Sequence, residues 1–314
     1  MESPASSIQV KPMSRQNLFS RIMDNPVITK ELKGRMRHRQ GFTMLTIYLG
    51  LISFFIGLVY LFLAEDGSIA IGNPSYLQTV GKVIFSTVVL LELLMVSFIG
   101  PSLTAGAISS ERERQTFDLL RTSLLSGRSL IFGKLSSAVV YLLLLIFTAI
   151  PVQSLAFFLG GVGMAEMVIS TLMLVITAVF FCALGLFFSS FAKRTLTATV
   201  SSYATILLSF IFLLVLVFML SIFDSAFSSS STVRTDMMNT LFWILFSTNP
   251  FFAAVMSETI LLDSQSIFYT TSGFIWGTTS FPLPSPWIIY TAFYVVVSIL
   301  LILLSIYFVS RPDR

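Results

Sequence analysis

Residues 109–134, SSERERQTFDLLRTSLLSGRSLIFGK, form a charged stretch between two long apolar runs, and the rest of the chain is arranged around it. Ser110 followed three residues later by Glu113 is the pattern of a capping box, which predicts a helix start. Gly127 predicts the end of that helix. Because apolar and charged side chains between these points separate onto opposite faces, we expect an amphipathic helix that either lies in the headgroup layer or docks on another protein.

Outward from this stretch the chain is strongly apolar. Of its 314 residues, 55% are hydrophobic and only 11% are charged, and the mean hydropathy is +0.89. A soluble domain carries about 25% charged residues, and a helix of about 20 apolar residues crosses the hydrocarbon core. We therefore predict an all-α polytopic membrane protein. Its six transmembrane helices are expected near residues 43–64, 80–105, 135–159, 167–191, 198–223 and 287–309.

Residues 224–286, between the fifth and sixth spans, mix charges and serines with apolar pieces that are each too short to cross a bilayer. Asn249-Pro250 is expected to break these apolar pieces. We predict re-entrant or interfacial helices on the outer side here. A seventh span hidden in this region is the alternative.

Lysine and arginine residues set the predicted orientation. With the N-terminus inside, 17 of the 19 Lys and Arg residues fall on the cytoplasmic side, as the positive-inside rule requires. We expect both termini in the cytoplasm and the protein in the plasma or inner membrane of the cell. Because these flanking residues account for the net charge of +4, no nucleic-acid partner is predicted.

The chain ahead of the first span is predicted to lie along the membrane surface. Residues 1–13 are polar and typical of a mobile tail. Residues 14–40 are basic and amphipathic, and Asn25 and Pro26 suit the start of a helix. Such a helix places its apolar side in the cytoplasmic headgroup layer. Residues 41–314 then form one transmembrane domain.

The charged stretch also resembles the signature of a transporter family. Residues 108–126, ISSERERQTFDLLRTSLLS, followed by Gly133-Lys134, are similar to the segment after the second span of ABC-2 type transporter permeases. A weaker similarity covers residues 25–35, NPVITKELKGR. The resemblance implies that residues 111–126 are the coupling helix, which seats in a cleft of a separate ATP-hydrolysing subunit. It also implies that residues 14–40 are the connecting helix, for which a simple membrane anchor is the alternative.

The resemblance implies which residues face the ATPase subunit and what the protein does. On the coupling helix they are Glu111, Arg112, Glu113, Arg114, Thr116, Phe117, Asp118 and Arg121. The connecting helix often touches the ATPase in that family, and the residues assigned to it here are Lys30, Glu31, Lys33 and Arg35. The implied function is that of the permease subunit of an ATP-driven exporter, in which this chain pairs with a second copy or a related permease in the lipid bilayer. Movement of the ATPases would push the coupling helix against the second and third spans.

Few residues of the chain suit catalysis or metal binding. Cys182 and His38 are the only cysteine and histidine, which removes zinc sites built from His and Cys clusters. Residues 127–135, GRSLIFGKL, depart from the phosphate-binding loop by one extra residue between the glycines and by Leu135 in place of a hydroxyl. We therefore predict no catalytic residue, cofactor or metal site on this chain, with ATP and magnesium held by the partner subunit.

Glu92, near the middle of the second span, is the most informative single residue. A carboxylate at that depth costs a few kcal/mol and normally faces protein or water. Either it lines a transport route or responds to protonation, or it is a protonated or hydrogen-bonded group that holds helices together. Small residues in the fourth span predict close helix contact, either within one subunit or between two: Ala178, Ala183, Gly185 and Ser189.

Three other functions compete with export. A scaffold would recruit a cytosolic partner without moving any substrate. An intramembrane enzyme would need clustered catalytic residues, which this sequence lacks. A proton-coupled carrier would use Glu92 as its relay. For an exporter, lipids, peptides, drugs and polysaccharide precursors are all compatible cargoes.

Overall fold

The computed structural model describes residues 39–65, 74–117, 127–226, 232–264, 267–273 and 277–310. The predicted tail and nearly all of the predicted connecting helix lie outside these residues. In chain order the elements are α1 (Arg39–Glu65), α2 (Pro74–Thr104), α3 (Ser109–Glu113), α4 (Gly127–Phe158), α5 (Met164–Phe191), α6 (Thr195–Ala226), α7 (Thr232–Ser247), α8 (Pro250–Ser264), β1 (Tyr269–Gly273), β2 (Gly277–Pro284) and α9 (Pro286–Ser310).

Six of the described helices are long and apolar enough to cross a membrane: α1, α2, α4, α5, α6 and α9. This finding confirms the predicted all-α polytopic membrane fold. Each of the six coincides with one predicted span, and most extend beyond the predicted bounds by a few residues. The extensions follow from charged and polar end residues, which continue the helix but lower its hydropathy.

The third span differs most from its prediction. It was expected to begin at residue 135, but α4 begins at Gly127, the residue predicted to end the preceding helix. Lys134 is only 6% exposed, and its Nζ lies 3.7 Å from a carboxylate oxygen of Glu111. Because a partner outside the helix accommodates this charge, α4 extends about two turns beyond its apolar run.

Helix α5 lies at the centre of the bundle, where it packs against α2, α4 and α9. Its four predicted contact residues are all buried, which confirms close packing within the chain: Ala178, Ala183, Gly185 and Ser189. A Cβ atom at Gly185 would collide with the hydroxyl of Thr104 and lie 3.0 Å from the Cα of Pro101 on α2. The two backbones therefore approach each other more closely than any larger residue at position 185 would allow.

A second close approach joins the start of α2 to the turn between α4 and α5. Gly160 has a φ of +76°, in the left-handed region that glycine adopts without strain. At the next residue, Gly161, a Cβ atom would collide with the carbonyl oxygen of Gln78. This turn therefore needs glycine for two different reasons, a backbone conformation and a steric contact.

Helices α1 and α6 lie at the periphery of the bundle, and most of their apolar side chains are exposed. Phe212 and Phe218 of α6 are 67% and 61% exposed. Such exposure suits apolar side chains that face lipid.

The predicted helix break lies between α7 and α8, which meet at a bend of 113°. Asn249 Oδ1 accepts hydrogen bonds from the N–H groups of Phe251 and Phe252, at 3.0 and 3.4 Å, and so begins α8. The Thr248 carbonyl would pair with the N–H of Phe252 in a continuous helix; here it accepts a hydrogen bond from the hydroxyl of Tyr294, at 3.1 Å. The break at Asn249-Pro250 is thus confirmed, and α9 supplies one of the groups that stabilise it.

An antiparallel hairpin of β1 and β2 follows α8, and the sequence analysis did not predict it. Its strands, YTTSG and GTTSFPLP, are rich in threonine and aromatic residues, a composition typical of strands. Two indoles hold the hairpin in place: Trp243 Nε1 donates to the carbonyl of Pro284 at 2.9 Å, and Trp287 Nε1 donates to that of Ile267 at 2.8 Å.

The close approach of α5 to α2 predicts that Gly185→Ala destabilises the protein. The added methyl group forces α5 away from Pro101 and Thr104, and overpacking of this kind costs about 1–3 kcal/mol. The thermal midpoint of the purified protein in detergent should fall. Gly57→Ala on α1, where nothing lies within 4 Å of the added Cβ, is the matched control and should leave the midpoint unchanged. Equal midpoints for both variants would contradict the tight contact.

Candidate functional site

The candidate site is the elbow, which we define as residues 105–117, from the end of α2 through α3 to Phe117. Helix α3 is a single turn, Ser109–Glu113, that ends at Arg114. Gln115 then adopts a φ of 59°, which stops any continuation of the helix. The prediction of one continuous amphipathic helix from Ser110 to Gly127 is therefore wrong, because the helix that starts here ends at Arg114. Residues 118–126, with the predicted contact residues Asp118 and Arg121, lie outside the described residues.

The predicted capping box is also wrong. The N–H of Ser110 donates to the carbonyl of Gly106 at 3.1 Å, and no side chain of the elbow caps the start of α3. Ser189 of α5 takes this role instead: its Oγ accepts hydrogen bonds from the N–H groups of Ile108 and Ser109, at 2.9 and 3.0 Å. Because Ser189 is fully buried, these bonds fasten the elbow to the core of the bundle.

Glu111 connects the elbow to α4. One of its carboxylate oxygens accepts a hydrogen bond from the Thr116 hydroxyl at 2.6 Å, and the other lies 3.7 Å from Lys134 Nζ. The N–H of Thr116 also donates to the Glu111 carbonyl at 2.9 Å. These contacts hold the residues after α3 in a compact turn, and this turn contacts α4, the third span.

Arg112 and Phe117 complete the inner side of the elbow. The Arg112 guanidinium lies over the Phe117 ring, 5.0 Å from its centroid, a distance typical of a cation–π contact. Phe117 is buried, so this contact also shields part of the guanidinium from solvent. Two residues predicted to contact the ATPase therefore contact each other.

Glu113 connects the elbow to the first residue of α6. Its Oε2 accepts hydrogen bonds from the hydroxyl and the N–H of Thr195, at 2.8 and 3.2 Å. The carboxylate thereby caps the start of α6, where a negative charge also interacts favourably with the helix dipole. These hydrogen bonds hold the pKa of the Glu113 carboxyl below its usual range, and Arg194 and Arg114 add to the effect.

The elbow thus connects four membrane-spanning helices through chain continuity, hydrogen bonds and one ion pair. It continues the chain of α2, and two of its amides donate hydrogen bonds to Ser189 of α5. Glu111 forms an ion pair with Lys134 of α4, and Glu113 caps α6. Three of its residues present exposed side chains beyond these contacts: Glu113, Arg114 and Gln115. The residues assigned to the connecting helix lie outside the described residues: Lys30, Glu31, Lys33 and Arg35.

Glu92 lies apart from the elbow, between α2 and α4. It is fully buried, and both of its carboxylate oxygens accept from Nε2 of Gln153, at 3.1 and 3.0 Å. The sequence analysis did not identify Gln153, although a single glutamine two residues after Pro151 in an apolar span is a detectable signal. A second buried carboxylate was also not singled out: Glu258 of α8 accepts a hydrogen bond from Ser86 of α2 at 2.7 Å.

The described residues contain no group of three or more His, Cys, Asp or Glu side chains that could hold a metal ion. The stretch compared with a phosphate-binding loop, residues 127–135, forms the first turns of α4, and Gly133 and Lys134 are buried there. No protein-family model matches the sequence, and no curated protein resembles it closely enough to count as a relative. Function is therefore inferred from the motif and geometry of the elbow.

The cap that Glu113 places on α6 predicts a local effect on hydrogen exchange. Glu113→Gln removes the negative charge of the acceptor, and Thr195→Val removes the hydrogen bond from the Thr195 hydroxyl. In both variants the amide of residue 195 should therefore exchange faster. Hydrogen–deuterium exchange of peptides that cover the start of α6 measures this change. Thr197→Val, at an exposed neighbouring position, is the matched control. Unchanged exchange in both test variants would show that the cap does not form.

Proposed function

We propose that this chain is the membrane subunit of an ATP-driven exporter of the ABC-2 type. The proposal joins two observations, the resemblance of residues 108–126 to the signature of those permeases and the position of that segment in the fold. The observation that carries it is the elbow, a polar turn at one end of the bundle that continues α2 and contacts α4, α5 and α6. A partner that moves this turn would move several spans together.

The contacts of the elbow suggest how force would pass through the protein. The resemblance implies a coupling helix that pushes on the second and third spans. The bonds of Ser189 and Glu113 add the fourth and fifth spans, α5 and α6, to the set that would respond. Since α5 packs against α2, α4 and α9, a displacement of the elbow would reach the core of the bundle directly.

In the proposed complex, the residues of the elbow have two different roles. Arg114 and Gln115, which are exposed, would contact the ATPase subunit. Glu111 and Glu113 would transmit its movement through Lys134 and Thr195. ATP and magnesium would be held by the ATPase subunit, and a second copy of this chain or a related permease would complete the transport route.

The proposal requires the elbow on the cytoplasmic side, which single-cysteine labelling can test. The native Cys182 is fully buried, so the background reaction should be low. A membrane-impermeant maleimide should label Arg114→Cys only in inside-out vesicles. It should label Met164→Cys, near the turn between α4 and α5 and 67% exposed, only in right-side-out vesicles. The reverse pattern would contradict the proposed orientation and, with it, docking of a cytosolic ATPase.

Docking can be tested by affinity purification of the tagged chain from its native membrane in mild detergent, followed by an assay of Mg-ATP hydrolysis in the eluate. An ATP-hydrolysing subunit should purify with the wild type. Arg114→Glu should reduce its recovery by about tenfold, which corresponds to about 1.4 kcal/mol of binding free energy. Arg128→Glu, at an exposed position at the start of α4, is the charge-matched control. Purification of the chain alone under several mild conditions would refute the exporter hypothesis.

Transmission can be separated from docking with the Glu113 and Thr195 pair. Glu113→Gln and Thr195→Val should both leave recovery of the ATPase intact but change its hydrolysis rate, and the double variant should match the single ones because both remove the same contact. If Thr195→Val has no effect while Glu113→Gln does, Glu113 acts by touching the partner. If neither variant changes hydrolysis although the ATPase is recovered, the scaffold hypothesis is favoured.

A further inference from the structure

Glu92 and Gln153 form a polar pair buried between two membrane-spanning helices. Their side chains are 0% and 1% exposed, and Gln153 Nε2 is almost equidistant from the two carboxylate oxygens, at 3.1 and 3.0 Å. One amide nitrogen thus faces both acceptors. The oxygen of the Gln153 amide takes no part in this contact.

The unused end is the amide oxygen. Gln153 Oε1 is buried and has no hydrogen-bond partner among the described residues. Leaving a buried polar atom unpaired is unfavourable, because the atom loses its hydrogen bonds to water and gains none in the protein. A proton on the carboxyl group of Glu92 would supply the missing donor. A rotation of the two planar groups would then let each of them donate one hydrogen bond and accept one.

The surroundings of Glu92 do not offset a negative charge. In the described part of the chain, no Lys, Arg or His forms an ion pair with it. From α1 it faces the phenol of Tyr48, and from α8 the carboxyl of Glu258 reaches α2 at Ser86, about 9 Å further along the helix axis.

On the opposite side along α2, titratable groups from α5 and α6 contact backbone carbonyls of that helix. Cys182 Sγ lies 3.9 Å from the carbonyl of Gly100, and the hydroxyl of Tyr203 donates to that of Phe98 at 2.6 Å. None of these groups carries a positive charge. An ionised Glu92 would therefore be a buried and unpaired charge, which is far less stable than the neutral acid.

We propose that Glu92 binds a proton and forms a two-bond acid–amide pair with Gln153. In this pair the acid O–H donates to Gln153 Oε1, and Gln153 Nε2–H donates to the acid carbonyl oxygen. Loss of the proton removes the first bond and leaves a buried charge between α2 and α4. The pair is therefore a proton-dependent latch between the second and third spans, and it does not depend on whether the chain is an exporter.

The protonation state can be measured by infrared difference spectroscopy of the purified full chain in lipid. At neutral pH, the spectrum of wild type minus Glu92→Gln should contain a carboxylic-acid C=O band whose shift in D₂O develops slowly, because the group is buried. Glu166→Gln, at a partly exposed glutamate in the first turn of α5, is the matched control and should lack such a band. A difference spectrum with only carboxylate bands would overturn the proposal.

The partner can be tested with Gln153→Met, a variant of similar volume that removes the amide. The carboxylic-acid band should persist but move to higher frequency, since the carbonyl of Glu92 loses its hydrogen bond. If Glu92→Gln does not fold, the comparison of wild type with Gln153→Met still tests the pair. A band at an unchanged frequency would show that Gln153 is not the partner and would overturn the pair.

The latch also predicts how stability depends on pH. A free glutamate has a pKa of about 4.3, so the unfolded chain releases this proton at a pH where the folded chain keeps it. Wild type should therefore lose thermal stability relative to Glu92→Gln as the pH rises above that value, until Glu92 itself ionises. Thermal midpoints measured in detergent from about pH 5 to pH 9 follow this difference. A constant difference across the range would contradict a proton held by Glu92.

Discussion

The bilayer core offers no water to backbone or side-chain polar groups, so each such group that this fold buries needs a partner within the protein. The contacts that define the structure meet this requirement at points far apart in the chain. Tyr294 satisfies the carbonyl freed at the break between α7 and α8, and the hydroxyl of Ser189 satisfies two amides of the elbow. Packing of the apolar helices surrounds these polar contacts, while the polar contacts decide which helices meet.

The same constraint explains why α5 is the central helix. Its small residues permit the close approach of α2, and its buried hydroxyls offer hydrogen bonds where the backbone of a neighbour needs them. At one end Ser189 fastens the elbow, and further along Thr177 shares a 2.6 Å hydrogen bond with Tyr290 of α9. A movement that begins at the elbow would therefore start from the most highly connected helix of the bundle.

The elbow and the Glu92 pair suggest two different controls on the same helices. The elbow acts at one end of α2 through exposed polar residues that a partner can reach. The pair of Glu92 and Gln153 acts inside the bundle, where both side chains are buried between α2 and α4. If both inferences hold, separation of the second and third spans would respond to a mechanical input and to protonation.

Composition and hydropathy were sufficient to predict six spans and the break at Asn249-Pro250, because each follows from residues that are adjacent in the chain. For the elbow, the sequence predicted the position in the chain but not the local structure. Its capping box and long helix were wrong, because the cap comes from Ser189 and the carboxylate of Glu113 turns to Thr195, each about 80 residues away. Likewise Glu92 was identified from its unfavourable position, but its partner Gln153 is 61 residues away on another span. Local patterns measure what a residue prefers, whereas only the packed bundle decides which distant donor reaches a buried acceptor.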